Sequence, residues 1–163
     1  VTTPGQVEIQ LVDQSPALDQ VRELFLEYAR SLDFELCFQS FDQELAELPG
    51  RYAPPDGRLF LATIATQPAG CIALRPLSPT SCEMKRLWVR PAYRGHGLGL
   101  ALCRRLIDEA RAIGYETMRL DTIGASMARA VALYRSLGFK QIEPYYDNPI
   151  AGALYLELRL DVN

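Results

Sequence analysis

The sequence predicts an α/β (α+β) fold built on a mixed sheet of six or seven strands, antiparallel in its N-terminal half, with parallel strands at its centre and about four flanking helices. Three observations carry this prediction. Apolar, strand-like runs at 58–65, 70–75 and 82–89 are separated only by short turn segments, the pattern of an antiparallel meander. The third run is followed by a helix-period stretch at 97–113 and a further strand-like run at 117–121, and a crossover of that kind leaves its two strands parallel. Two last runs, 139–143 and 153–160, flank Tyr145-Tyr146-Asp147-Asn148-Pro149, a segment suited to closing a hairpin.

Taken in order, residues 8–12 read as a short first strand. Over 19–32, Val21, Leu24, Phe25, Tyr28 and Leu32 make one face of an amphipathic helix, with Asp19 placed to cap it. From 33 to 41 the chain is aromatic and acidic, and a short helix at 42–48 runs into Pro49-Gly50. Pro54-Pro55-Asp56-Gly57 is a turn. The first two meander strands join across Thr66-Gln67-Pro68-Ala69, and Pro91 ends the third by withholding a ladder donor. Leu98, Leu102, Leu106, Ala110 and Ile113 line one face of the next helix, which Gly114 closes. A last helix at 126–137 stops at Gly138.

The 163 residues suit one domain spanning 1–163, large enough to bury roughly two thirds of its unfolded surface. With 48% apolar residues, a net charge of -3, no leader pattern and no apolar run near the ~20 residues of a bilayer span, the chain is expected to be cytoplasmic, with no membrane partner. Only short basic pairs occur, Lys85-Arg86 and Arg104-Arg105, so nucleic acid is not an expected partner. Cys37, Cys71, Cys82 and Cys103 are widely spaced, which points to reduced core cysteines. With one histidine and no clustered ligand spacing, no metal is expected.

The most informative stretch is Arg94-Gly95-His96-Gly97-Leu98-Gly99, a side-chain-poor loop where the helix at 97–113 begins. The first amides of a helix lack intrahelical partners and sit at the positive end of its dipole, so glycines there let a phosphate approach bare N–H groups. Arg94 can add a charged contact. A triphosphatase phosphate loop needs Lys-Ser or Lys-Thr after its last glycine, and Leu100-Ala101 stands there instead. A dinucleotide fingerprint starting at Gly95 needs glycine where Leu100 stands, although Asp121 falls at a suitable distance downstream.

The stretch from Val89 to Gly99 resembles the signature of the GNAT N-acetyltransferase superfamily, whose acyl-CoA loop has the form Gln/Arg-x-x-Gly-x-Gly/Ala after a Val-x-Pro strand end. Arg94, Gly97 and Gly99 fill it, and a second family block, Ala-x-x-x-Tyr-x-x-x-Gly-Phe, is met by Ala130, Tyr134, Gly138 and Phe139. The order of strands and helices extends the resemblance over nearly the whole chain, and it implies the same architecture. It also implies an acetyl-CoA-dependent N-acetyltransferase, with the pyrophosphate on the amides of the loop at Gly95, His96, Gly97, Leu98 and Gly99. The pantetheine arm would lie along the backbone of Leu87, Trp88 and Val89 as an added strand. One of those amides would polarise the thioester carbonyl.

Acetyl transfer needs a neutral amine, whereas a lysine-type amine has a pKa of about 10.4, so something must accept a proton. Glu83, eleven residues before Arg94 as in some family members, is the candidate base. Its bland reading is a surface ion pair with Lys85 or Arg86. Tyr134 is by resemblance the proton donor to the departing thiolate, and its bland reading is packing on the inner helix face. Many members carry Asn seven residues before that Tyr, to bond the pantetheine. Here the position is Met127, with Ser126 beside it as a substitute. His96 faces solvent near the phosphates and is given no catalytic role. The acceptor amine, of a small molecule or a protein, is expected among Phe34, Glu35, Phe38, Phe41, Tyr145, Tyr146 and Asp147, where acidic groups between aromatics suit a cation. A homodimer is a further expectation by resemblance. The alternative reading is a non-catalytic acyl-CoA binding or regulatory module, against which the presence of both Glu83 and Tyr134 argues.

Overall fold

A computed structural model describes residues 5–32, 36, 40–124 and 127–161. Along the chain run β1 (Val7–Leu11), α1 (Ala17–Ser31), α2 (Phe41–Glu47), β2 (Arg58–Ile64), β3 (Gln67–Pro76), β4 (Ser81–Val89), α3 (Leu98–Ile113), β5 (Thr117–Ile123), α4 (Ala128–Ser136), β6 (Lys140–Ile142) and β7 (Ala153–Arg159). They form one seven-stranded mixed sheet in the order β1-β2-β3-β4-β5-β7-β6. β2 to β4 are the expected antiparallel meander, β1 adds antiparallel to β2, and β5 lies parallel to β4 after the α3 crossover. β7 enters between β5 and β6, antiparallel to both.

Each sheet face has its own core. On one, Leu98, Leu102, Leu106 and Ala110 of α3 and Tyr134 of α4 pack on Ile72, Leu74, Cys82, Met84, Met118 and Leu120. On the other, Val21, Leu24 and Phe25 of α1 and Phe41 of α2 pack on Leu59, Leu61, Cys71 and Ala73. Cys71, Cys82 and Cys103 are free thiols in these cores, and Cys37 lies outside the described residues. No helix among the described residues is long and apolar enough to cross a membrane.

Helix ends follow the expected chemistry with one correction. Gly114 closes α3 at φ +110°, its N–H reaching the carbonyls of Ala110 and Arg111, and Gly138 follows α4 at φ +103°. Asp19 does not cap α1. The helix begins two residues earlier, after Pro16, without a side-chain cap, and Asp19 sits in the first turn paired with Arg22 at 2.6 Å. At the N-cap Pro16 contributes only its carbonyl, which accepts from the Gln20 N–H at 3.3 Å, so its missing N–H costs no helical bond.

The irregularity that shapes the molecule lies in β4. Leu74 pairs with Met84 and Ala73 with Lys85, but Cys71 pairs with Trp88, so the β3–β4 register shifts between Cys71 and Ala73. Arg86 adopts φ +60° at that point. Such a bulge puts two consecutive side chains on one face and reverses the alternation beyond them. Cys82 and Met84 therefore face α3 before the break and Leu87 and Val89 after it, while Arg86 and Trp88 turn to the α1–α2 side.

Candidate active site

The bulge opens the sheet. β4 and β5 pair only over Ser81–Thr117, Cys82–Met118 and Glu83–Arg119, although β5 continues against β7 as far as Ile123. Beyond Glu83 the two parallel strands diverge, leaving the backbone of residues 84–89 without a partner strand on its β5 side. A cleft of about 810 Å³ fills the gap, within the size range of small-molecule sites.

Its walls bring together most residues singled out from the sequence. Leu87, Trp88 and Val89 of β4 line it, as do Arg94, Gly95, Gly97, Leu98 and Gly99 of the loop and Met127, Ala130 and Tyr134 of the α4 region. His96 is not among the lining residues. Gly95 and Gly97 take φ +86° and +79°, the left-handed region that favours glycine. A Cβ built on either meets nothing within 4 Å, so conformation and not crowding demands glycine there. Intrahelical bonding begins with the Ala101 N–H donating to the Gly97 carbonyl at 3.0 Å, which leaves the amides of residues 98–100 without helical partners. The open space over these glycines and the bare amides fit a pyrophosphate.

Arg94 folds back on the strand end. Its Nε donates to the Val89 carbonyl at 2.9 Å and its guanidinium lies 4.8 Å from the centre of the Trp88 ring. The Trp88 indole N–H in turn donates to Glu27 of α1 at 3.2 Å, and Arg90 clamps the same carboxylate at 2.7 Å. The Arg90 hydrogen bond is the main cause holding the Glu27 carboxyl below its ordinary range.

Tyr134 reaches the cleft from α4 and is 8% exposed. Burial raises its hydroxyl pKa well above the ordinary 10, so it carries its proton at any working pH. Met127 stands at the N-cap of α4, where its Sδ accepts from the Thr122 hydroxyl at 3.1 Å.

Glu83 lies elsewhere. It is 1% exposed and absent from the cleft wall, and each of its oxygens is engaged. Arg75 Nε donates to Oε1 at 2.7 Å and the Tyr145 hydroxyl to Oε2 at 2.6 Å. The surface pairing with Lys85 or Arg86 is likewise replaced by this buried one with Arg75. Tyr145 and Tyr146 are not cleft-lining either. Tyr145 binds Glu83, and Tyr146 donates its hydroxyl to Asp121. Phe34, Glu35, Phe38 and Ser126 lie outside the described residues, and Phe41 stacks under the Arg86 guanidinium at 5.2 Å.

Sequence reasoning missed the polar end of the cleft. Lys85, Arg86, Asp121 and Asn148 line it. Lys85 Nζ stands 3.8 Å from Asp121 Oδ1, with only 5% and 8% of the two side chains exposed. Asp121 Oδ2 accepts from the Tyr146 hydroxyl and from Asn148 Nδ2 at 3.0 Å. Arg86 is committed to a two-bond pair with Glu44 of α2, at 2.9 and 3.0 Å. Burial, with Arg86 beside it, pushes the Lys85 amine down from 10.5 to about 8, against the pull of Glu83 and Asp121. The adjacency of Lys85 and Asp121 had no sequence signal, since it depends on the bulge and on the strand pairing.

A mixed sheet splayed at its parallel centre, with a glycine-rich helix start at the mouth of the split, defines an acyl-CoA-dependent transferase. Residues 18–139 match the acetyltransferase (GNAT) family. The chain is 40% identical over 159 residues to an uncharacterized N-acetyltransferase of Schizosaccharomyces pombe, covering 96% of this chain and 97% of that one. Among solved structures it superposes on an acetyltransferase of Streptococcus agalactiae with a TM-score of 0.73 at 25% identity, covering 94% and 98% of the two chains. It also superposes on a Salmonella typhimurium acetyltransferase solved with its cofactor acetyl-CoA, with a TM-score of 0.68 at 21% identity, covering 96% and 95%. The chain belongs to the GNAT acetyltransferase family and is an acetyl-CoA-dependent acyltransferase.

Proposed function

We propose that the protein is an N-acetyltransferase that moves the acetyl group of acetyl-CoA to a primary amine of a small molecule or a protein, by direct attack within a ternary complex. The observation that carries this reading is the single cleft joining the glycine loop, the unpaired backbone of β4 beyond the bulge, Tyr134, and a polar end built from Lys85, Asp121 and Asn148. Bound acetyl-CoA supplies an activated thioester, whose carbonyl carbon accepts the amine. The amides at residues 98–100 hold its diphosphate, and Gly95 and Gly97 let it approach them. The free edge of Leu87, Trp88 and Val89 offers backbone bonds to an extended amide-bearing arm. An amide there also faces the negative charge that develops on the carbonyl oxygen.

Tyr134, held protonated by burial, donates to the departing sulfur. With both oxygens of Glu83 engaged, its part is to hold Tyr145 and Arg75 and so brace the loop beside Asp121. The acceptor enters from the polar end. The test is isothermal calorimetry with acetyl-CoA, followed by thiol detection of released CoA with a panel of primary amines. The reading expects saturable binding and amine-dependent CoA release. Binding without release for any amine would instead support a non-catalytic acyl-CoA module.

A further inference from the structure

We propose that Lys85, steadied by Asp121, is the proton acceptor for the incoming amine, so that the pair takes the place the sequence suggested for Glu83. This deepens the transferase reading and rests on it. Four observations support the assignment. Lys85 and Asp121 line the cleft that holds Tyr134, whereas Glu83 does not. The bulge places Lys85 and Arg86 on one face, and the two cations are not equivalent. Arg86 is spent on Glu44, and a guanidinium cannot act as a base.

The chain has 17 basic residues, of which only Lys85 and Lys140 are lysine. The cation facing Asp121 across the cleft is thus of the type able to lose a proton. Asp121, in turn, is fixed from behind. Its Oδ2 takes Tyr146 and Asn148, leaving Oδ1 turned to the Lys85 amine at 3.8 Å, close enough to steady a charge. Among the described residues, the charged groups around Lys85 are Arg86 and Glu83 on its own strand, Arg75 on β3 and Asp121 on β5.

The step balances as follows. Neutral Lys85 takes one proton from the acceptor's ammonium group. The freed nitrogen lone pair forms the C–N bond to the acetyl carbon, and the C–S bond breaks with its electron pair on sulfur. Tyr134 gives its proton to that sulfur and regains one from the nitrogen as the amide forms. One proton is left on Lys85, beside Asp121, and returns to solvent.

Two readouts test this in the full chain. With lysine labelled by ¹³C and ¹⁵N, NMR resolves two amines. Lys140 is expected to titrate near the ordinary ~10.4, Lys85 near 8, and Lys85 lower still in Asp121→Asn, which removes the charge that favours its protonated form. With an amine that supports turnover, kcat should rise through the same pH as Lys85 titrates, and that limb should move down with Asp121→Asn. Lys85→Met and Lys85→Arg should each lower kcat about 100-fold or more, with acetyl-CoA affinity within about threefold of wild type.

Turnover retained in Lys85→Arg, a Lys85 that titrates with Lys140, or a kcat limb unmoved by Asp121→Asn would each overturn the assignment. A Lys85→Met protein that fails to fold reveals itself by lost acetyl-CoA binding, and the wild-type titration and Lys85→Arg then decide. Wild-type protein that binds acetyl-CoA but acetylates no amine refutes the transferase reading instead, and the NMR titration judges Lys85 apart from it.

Discussion

Gly97 and Gly99, two residues apart in the anion loop, should respond in opposite ways to the same added methyl. Gly97 sits at φ +79° with open space around its Cβ position. The cost of Gly97→Ala is therefore conformational, about 1–2 kcal/mol for an L-residue in the left-handed region, partly offset by the lower entropy of the unfolded alanine chain. A net loss of roughly 1 kcal/mol lowers Tm by about 2–4 °C in a chain of this size. Gly99 lies within α3. Its added Cβ would meet Leu133 Cδ2 at 3.7 Å and Val89 Cγ2 at 4.0 Å, ordinary contacts. Helix propensity then makes Gly99→Ala stabilising by about 0.5–1 kcal/mol.

The acyl-CoA loop signature accepts glycine or alanine at position 99, so Gly99→Ala should also keep its acetyl-CoA affinity. At Gly97, where φ is +79°, relieving the strain shifts the turn, and losing one hydrogen bond to a charged phosphate, about 1.5–3 kcal/mol, weakens acetyl-CoA roughly 10- to 150-fold. Scanning calorimetry and titration calorimetry measure the two effects separately. A Gly97→Ala protein that binds acetyl-CoA as tightly as wild type would refute the placement of the pyrophosphate on this loop.

Other consequences are equally direct. Glu83→Gln should cost about 2–3 kcal/mol of stability in urea unfolding, since it strands Arg75 and loosens Tyr145, while acetyl-CoA binding persists; loss of turnover with unchanged stability would restore Glu83 as the base. Glu44→Ala leaves Arg86 buried beside Tyr28 and Phe41 without its carboxylate, and should destabilise by about 3–5 kcal/mol in the same measurement. Lys85 binds its proton more weakly folded than unfolded. Its contribution to stability should therefore rise with pH between about 8 and 10.5, by roughly 3 kcal/mol at most, and urea titrations of wild type against Lys85→Met across that window should reveal the difference. Cys82 and Cys103 thiols, each pushed up to about 12 by burial, and the equally buried Cys71 should resist an aromatic disulfide reagent at pH 8 until the chain is unfolded.

The half of the cleft proposed to take the donor could be located from the sequence because its residues lie in local motifs. Glycines at a helix start, the proline that ends β4 and the tyrosine on the following helix lie within short segments whose spacing carries the geometry. The half proposed to take the acceptor could not, for two physical reasons. Glu83 was singled out by its separation of eleven residues from Arg94, which says nothing of the buried Arg75 and Tyr145 that engage both its oxygens. The strand also breaks at Arg86, a residue with no intrinsic preference for the left-handed region, whose side chain is held by Glu44 and by the rings of Tyr28 and Phe41. The partners of Asp121 also come from 25 and 27 residues away in sequence. They are brought to it by β7 slotting between β5 and β6, an order that hairpin chemistry alone does not dictate. Asp19 illustrates a smaller confusion, a carboxylate in the first helical turn taken for a cap one step outside it.

The placement of β7 also sets a timetable. Its seven residues are the last of the sheet to leave the ribosome, yet they occupy an interior position, pairing with β5 from Thr117 to Ile123 and with all of β6. Until they slot in, the facing edges of β5 and β6 stay open to mispairing with other chains. Over the same interval Tyr146 and Asn148 are not yet anchored beside Asp121. A nascent chain therefore completes the glycine loop early and the Asp121 wall of the cleft last, so that under the proposed mechanism competence for transfer coincides with closure of the sheet.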